Sequence, residues 1–433
     1  MKTASRKVIN GWAMYDWANS VYNLVITTTF FPVYYTAITS QEPFNGSVRF
    51  FGRTFVNTAL YSYALAAAYL CVAITLPILS SIADYRGSKK RFLQVFCFIG
   101  ALSCSLLYFF NEQNFSLGII CMMVAAYAFY GSLVFYNSYL PEIAAAEDRD
   151  RISARGFSFG YIGSVLMQMI GFCLVTFHEY IPFIESSGHA VQFTFLLVGL
   201  WWFGFAQIPF RRLPAGKPAD PSQAKKNVFT GGFAELRKVR RQLAHSPVMK
   251  RFLLAFFFYI MGVQTVMLAA TNFGSKVLQL PEGALITTVV VIQLVAIAGA
   301  WSISRLSMRY GNFPALITVV FIWILICIAG YLMQTAMHFY LLAAAVGLVM
   351  GGIQSLSRST YAKLMPQTRD TASFFSFYDI TEKIAIVIGL SSFGLIEEIT
   401  GSMRQSVLAL MVFFAIGLIF LYFANKRSTL HQP

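Results

Sequence analysis

The sequence predicts an all-α membrane protein of twelve transmembrane helices, built as two six-helix halves related in parallel, with both termini cytoplasmic. Three observations carry that expectation. Of the 433 residues, 57% are hydrophobic and only 12% charged, against roughly 25% charged in soluble domains. The apolar residues gather in blocks of about twenty, the length a helix needs to cross a bilayer. A motif that follows the second block returns in altered form after the eighth.

The blocks run over residues 12–38, 57–83, 92–110, 116–140, 156–178, 191–210, 251–274, 285–304, 314–334, 338–362, 374–397 and 405–424. Lys2, Arg6 and Lys7 precede a first block that is long, polar on one side and without a small-residue cleavage site, so it reads as a retained helix rather than a signal peptide. With the N-terminus inside, 28 of the 33 Lys and Arg fall in inside segments and four, Arg49, Arg53, Lys276 and Arg404, fall outside, while Lys383 lies within a span. This is the positive-inside pattern. It accounts for the net charge of +15 without a nucleic-acid partner.

The longest polar interval, 211–250, separates an N-terminal bundle (1–210) from a C-terminal one (251–433). It passes from Pro214, Pro218 and Pro221 into an amphipathic stretch with Phe233, Leu236, Val239 and Leu243 on its apolar face and Arg237, Lys238, Arg240 and Arg241 on its polar face. That pattern suits a helix resting on the anionic inner leaflet; a partner-binding helix is the alternative.

The six Cys (71, 97, 104, 121, 173 and 327) all fall in apolar blocks without CxxC or Cys/His spacing, so neither disulfides nor a metal site is expected. Gly156-Phe-Ser158-Phe-Gly160 matches the nucleophile-elbow pattern only formally. That pattern needs a strand-to-helix turn and triad partners, whereas here it enters a membrane helix. No Walker A sequence or catalytic dyad appears, so no enzyme and no cofactor is expected.

Ser80-Ser-Ile-Ala-Asp84-Tyr-Arg-Gly87-Ser-Lys89 recurs at an offset of 224 as Ser304-Arg-Leu-Ser-Met308-Arg-Tyr-Gly311-Asn-Phe313, where the acid is lost. Arg151 stands six residues before Phe157-Ser158-Phe159, and Arg369 six before Phe375-Ser376-Phe377. Two six-helix halves in parallel follow. That is the plan of the major facilitator superfamily, whose substrate site lies near the midplane between the halves.

Ser80 to Lys89 resembles the superfamily's loop signature, keeping Asp84, Gly87 and Lys89 with Ser80 in place of the first glycine. The resemblance implies a gating role in which Asp84 meets the N-terminus of the eleventh helix, where a carboxylate is electrostatically favoured. Gly11-Trp-Ala-Met-Tyr-Asp16-Trp17-Ala-Asn19-Ser20, Phe135-Tyr-Asn137-Ser-Tyr-Leu-Pro141-Glu142, Arg151-Ile-Ser-Ala-Arg155-Gly156 and Gly351-Gly-Ile-Gln354-Ser-Leu-Ser357-Arg358-Ser-Thr-Tyr361 are similar to the unknown-major-facilitator family, bacterial relatives of the fungal vacuolar effluxer that releases amino acids. The resemblance spans essentially the whole chain. In the seventh helix that family carries an acid beside a glycine, and Tyr259-Ile-Met261-Gly262 has none.

A charged residue at a helix centre costs roughly 2.5–3.5 kcal/mol on insertion scales, so the few that occur face a cavity, a partner or a relay. Asp16, Asn19, Ser20, Asn23 and Thr27 form a polar stripe on the first helix, fitting either a helix–helix seam or a cavity wall. The eleventh carries Asp379, Glu382 and Lys383, with Asp379 and Lys383 in the favourable i, i+4 order, and Arg358 on the tenth lies at a depth similar to Asp379. This cluster reads either as a neutralised structural pin or as a binding and proton-coupling centre. In the second reading Glu382, Asp379 and Asp16 are candidate proton carriers, Lys383 meets substrate, and Arg358 gates. Further cavity candidates are Tyr130, Asn137, Tyr161, Ser164, Gln168, Gln264, Thr271 and Gln354.

The expected function is a proton-coupled secondary transporter in the inner (plasma) membrane, acting as a monomer on a small polar solute by alternating access; the resemblance suggests an amino acid and efflux. A proton-coupled exporter of drugs or lipophilic metabolites is the alternative, and a membrane sensor on a transporter scaffold is one of another class.

Overall fold

A chain in lipid can pair its backbone N–H and C=O groups within a single apolar segment only as a helix. In the computed structural model the described residues, 2–216 and 228–429, are helical almost throughout. The first run joins α1 (Arg6–Val21) to α2 (Phe31–Ser40) through a π-helical stretch, Tyr22–Phe30. There Thr28 and Thr29 donate to the carbonyls of Asn23 and Leu24, at 2.8 and 2.9 Å, each five residues back. Then follow α3 (Asn57–Arg86), α4 (Lys89–Leu106), α5 (Phe115–Ser138), the short α6 (Leu140–Ile143), α7 (Arg149–Thr176) and α8 (Ser187–Arg212). After residue 227 come α9 (Val228–His245), α10 (Pro247–Leu278), α11 (Glu282–Tyr310), α12 (Asn312–Leu332), α13 (Ala336–Leu364), α14 (Thr371–Thr400) and α15 (Met403–Thr429).

The all-α class holds, with one small strand pair in a connection. Residues between the first two expected spans form an antiparallel hairpin, β1 (Ser47–Phe50) and β2 (Arg53–Val56), with Phe50 opposite Arg53. Its two-residue turn, Phe51-Gly52, has positive φ at both positions (47° and 79°), the geometry that matches the twist of a tight hairpin.

Among the described residues ten helices are long and apolar enough to cross a membrane. The other two expected spans correspond to the run from Arg6 to Ser40 and to α14, which carries three charges, Asp379, Glu382 and Lys383, near its middle. The repeat seen in the sequence reappears in the backbone: α3 and α11 both stop at a glycine of positive φ, Gly87 at 65° and Gly311 at 91°, a region closed to most side chains.

The chain divides into two compact units. One comprises residues 5–136 and 159–218; the other comprises 1–4, 137–158 and 219–433, and so takes the end of α5, all of α6 and the start of α7 together with α9–α15. In the first, α8 packs on α1 and α4. Small residues permit close approach: a Cβ at Gly199 on α8 would lie 2.5 Å from the Ala101 carbonyl of α4, and one at Gly163 on α7 2.7 Å from the Trp17 carbonyl of α1. Trp201 Nε1 donates to the same Trp17 carbonyl at 3.1 Å.

In the second unit α11 and α13 meet backbone to backbone. Gly299 faces the carbonyl of Leu348, Gly351 that of Ala296, and a Cβ at Gly347 would stand 2.6 Å from the Ile292 carbonyl. Nearer the α10–α11 turn an apolar cavity of about 60 Å³ is lined by Ala269, Phe273, Cys327, Gly330, Phe339 and Ala343 among others.

The amphipathic helix expected in the linker forms as α9, but its apolar face is turned to protein. Val239 and Leu243 are buried where α9 packs on α10 and α14, while Phe233, expected on the same face, is exposed. Lys238, expected on the membrane-facing polar side, reaches Asp370 at 2.7 Å. Of the linker prolines, Pro218 and Pro221 lie outside the described residues.

Candidate functional site

The charges on α14 come together as the i, i+4 spacing requires. Lys383 Nζ lies 3.1 Å from Glu382 Oε2 and 3.4 Å from Asp379 Oδ1. Gln264 Nε2, from α10, donates to Glu382 Oε1 at 2.8 Å. The Lys383 and Asp379 side chains are nearly sealed, whereas Glu382 keeps 20% of its surface. Both Glu382 oxygens are therefore held, one by an amide and one by the ammonium. Asp379 Oδ2 is buried without a hydrogen-bond partner among the described residues. An aromatic wall flanks the group: Tyr378 stacks on Phe256 with ring centroids 4.2 Å apart and lies 5.0 Å from Tyr361.

Two acids thus share one cation in this cluster. Burial penalises charge unless it is paired, so a second anion entering beside Lys383 competes with the carboxylates already there.

Arg358, expected at a depth similar to Asp379, binds several groups in the same unit. Its Nε and Nη2 donate to Ser153 Oγ (3.0 Å) and the Ser153 carbonyl (2.8 Å), its Nη1 donates to Asn137 Oδ1 (3.1 Å), and its plane sits 4.2 Å over the Phe157 ring. Ser153 Oγ in turn donates to the Ser355 carbonyl at 2.7 Å. Asn137, expected to line a cavity, is thus a partner of the expected gating arginine.

Close by is a constellation that sequence reasoning missed. Asp150 is fully buried and receives Lys363 Nζ at 2.6 Å, Ser307 Oγ at 2.7 Å and Asn312 Nδ2 at 2.9 Å. Lys363 also donates to Asn312 Oδ1 (2.8 Å), and Asn312 to Thr360 Oγ1 (2.9 Å). Arg149 donates to the Ala362 carbonyl at 2.8 Å, and Thr371 Oγ1 to Glu142 Oε1 at 2.7 Å. In sequence, Asp150 sits in the run Glu147-Asp-Arg-Asp-Arg151, which reads as a solvated charge cluster. The signal available was Asn312, a polar residue directly after the second copy's glycine.

The remaining expected residues are placed individually. In the first unit Tyr136 OH donates to Asp16 at 2.7 Å and stacks on Trp12 at 4.5 Å. Asn19 is fully buried, with its Nδ2 lacking a partner among the described residues, while Asn23 is exposed. Tyr130 OH meets Tyr69 OH at 3.1 Å, and Gln168 Nε2 lies 3.4 Å from Thr29 Oγ1. Tyr161 and Ser164 are buried on α7, as are Asp84 and Lys89 on either side of Gly87. Gln354 is half-buried on α13. The side chain of Thr271 lies outside the described residues.

The family described as vacuole effluxer Atg22 like matches residues 4–432. The chain is 31% identical over 420 residues to an uncharacterised transporter of the major facilitator type, YxiO, from Bacillus subtilis, covering 97% of this chain and 95% of that one. It is 25% identical to autophagy-related protein 22 of Kluyveromyces lactis, over 96% and 92% of the two chains. Among solved structures, the major facilitator transporter FucP in its outward conformation superposes with a TM-score of 0.73 at 15% identity, covering 97% and 99%. The fold is therefore that of the major facilitator superfamily, and the relatives are multi-pass membrane transporters rather than enzymes. The chain belongs to the Atg22-like vacuole effluxer family.

Proposed function

We propose that this transporter moves a small solute bearing a carboxylate, an amino acid foremost, with proton coupling and alternating access. In this reading it has twelve spans, both termini in the cytoplasm of a bacterial cell, and residues 1–210 and 251–433 as its two halves. The observation that carries the reading is Lys383, sealed between Asp379 and Glu382. A substrate carboxylate takes Lys383 from the acids, and the acid that loses it takes a proton, so the two occupancies are linked.

Hydrogen bonding favours Asp379 as the carrier. Of the candidate carriers, Glu382 stays held by Gln264 when Lys383 leaves, whereas Asp379 already has an oxygen without a hydrogen-bond partner among the described residues. Asp16, with its Tyr136 bond, then serves the first unit's structure. The Asp150–Lys363 group and the Arg358–Ser153 group form the cytoplasmic closure, with Asp84 as a further latch.

The test begins with thermal shifts of the purified protein against amino acids, dipeptides, sugars and cationic drugs. Ligands with a free carboxylate should raise the melting temperature of wild type and fail to do so in Lys383→Ala. In proteoliposomes, Asp379→Asn should keep exchange of that ligand and lose accumulation driven by a pH gradient, while Glu382→Gln keeps both in part. Accumulation by Asp379→Asn with normal pH dependence returns the proton to Glu382. Stabilisation by lipophilic cations alone replaces the carboxylate reading with drug export.

A further inference from the structure

We infer that the exposed face of α9 is a binding surface for anionic phospholipid headgroups. Only Ser246 separates the end of α9 at His245 from the start of α10 at Pro247. One residue spans at most about 3.6 Å, so α9 leaves a membrane-spanning helix at the level where that helix meets the headgroups. Lys250, in the first turn of α10, is exposed as well.

Packing orients the helix. Val239 and Leu243 are buried on one face, and Lys238 is fastened to Asp370, itself buried and also receiving Thr368 Oγ1 at 2.9 Å. What remains is a face on which Phe233, Arg237, Arg240, Arg241 and Ala244 recur at spacings of three and four, and all five are exposed. Three exposed Arg thus follow, along the same face, a phenyl ring that is 54% exposed.

The chemistry of that face selects its partner. A guanidinium matches two phosphate oxygens at once, and each basic side chain near an anionic leaflet adds to the attraction. An exposed aromatic ring among them gains by dipping below the headgroups. An acidic soluble protein offers the charge without a place for Phe233, and it would have to reach a face tethered one residue from the bilayer. Since Lys238 ties α9 to the residue just before α14, lipid engagement bears on the helix that carries Asp379, Glu382 and Lys383.

The test uses the full chain in lipid vesicles, with Phe233→Cys carrying a bimane label in a background where the exposed Cys71 and Cys173 are serine. Quenching by brominated phosphatidylglycerol is compared with quenching by brominated phosphatidylcholine at equal mole fraction. The anionic lipid should quench about twofold more or better. The excess should vanish in Arg237→Gln/Arg240→Gln/Arg241→Gln protein of unchanged melting temperature, and should shrink at about 1 M salt, where the Debye length falls to about 3 Å. Equal quenching by the two lipids, no quenching by either, or a preference that survives the triple substitution overturns the inference; no quenching would return α9 to a soluble acidic partner.

Discussion

Lys363 Nζ lies 2.6 Å from the carboxylate of Asp150, 213 residues away in the chain, and the pair is unequal: the acid is fully buried while the lysine keeps 24% of its side chain exposed. Ser307 and Asn312 complete the acid's hydrogen bonds, so its charge is stabilised by three separate helices.

That inequality sets the order of a mutant cycle. Lys363→Met strips the ion partner from a carboxylate with no access to water, a change of the kind that costs about 3–5 kcal/mol. Asp150→Asn leaves behind a lysine that can turn to solvent, so it should cost less. The double variant should recover much of the loss of Lys363→Met, giving a coupling well above 0.5 kcal/mol. Thermal melts of the four proteins in one detergent decide it, and an Asp150→Asn variant as unstable as Lys363→Met contradicts the assignment.

The apolar cavity in the second unit offers a gain rather than a loss. A half-open apolar cleft of about 60 Å³ lined by Ala343, Gly330 and Cys327 leaves dispersion contacts unmade. Ala343→Val, which adds two methyl groups on the cavity wall, should stabilise by about 1 kcal/mol at most and raise the melting temperature. Ala343→Phe should lower it by overpacking.

Topology is open to labelling. Cysteines placed at Ser47, Ser187 and Gly401, all exposed, should react with an impermeant maleimide from outside the cell, and one at Ser88 only after permeabilisation. Labelling of Ser88 in intact cells would reverse the orientation drawn from the distribution of Lys and Arg.

What the sequence revealed and what it hid follow from the range of the interactions concerned. Helices are local, so apolar blocks reported nearly all of them, and the glycines at 87 and 311 marked equivalent helix ends because their positive φ leaves few alternatives. The group of Lys383, Asp379 and Glu382 was legible because all three lie within two turns of one helix. Asp150 was not, since its partners Ser307 and Lys363 stand 157 and 213 residues away, and nothing in the run Glu147–Arg151 distinguishes a buried acid from a solvated one. Periodicity likewise showed that α9 has an apolar side, but burial against α10 and burial in lipid produce the same pattern.

The contact of α11 with α13 changes what the Asp150 group can do. Gly299, Gly347 and Gly351 set the two backbones directly against each other, leaving no side-chain layer to shear. The end of one helix holds Asp150 through Ser307, and the end of the other holds it through Lys363. Two hands joined at the forearm release together: these bonds should break as one event, so the grip on Asp150 behaves as a switch with two settings and no stable halfway position.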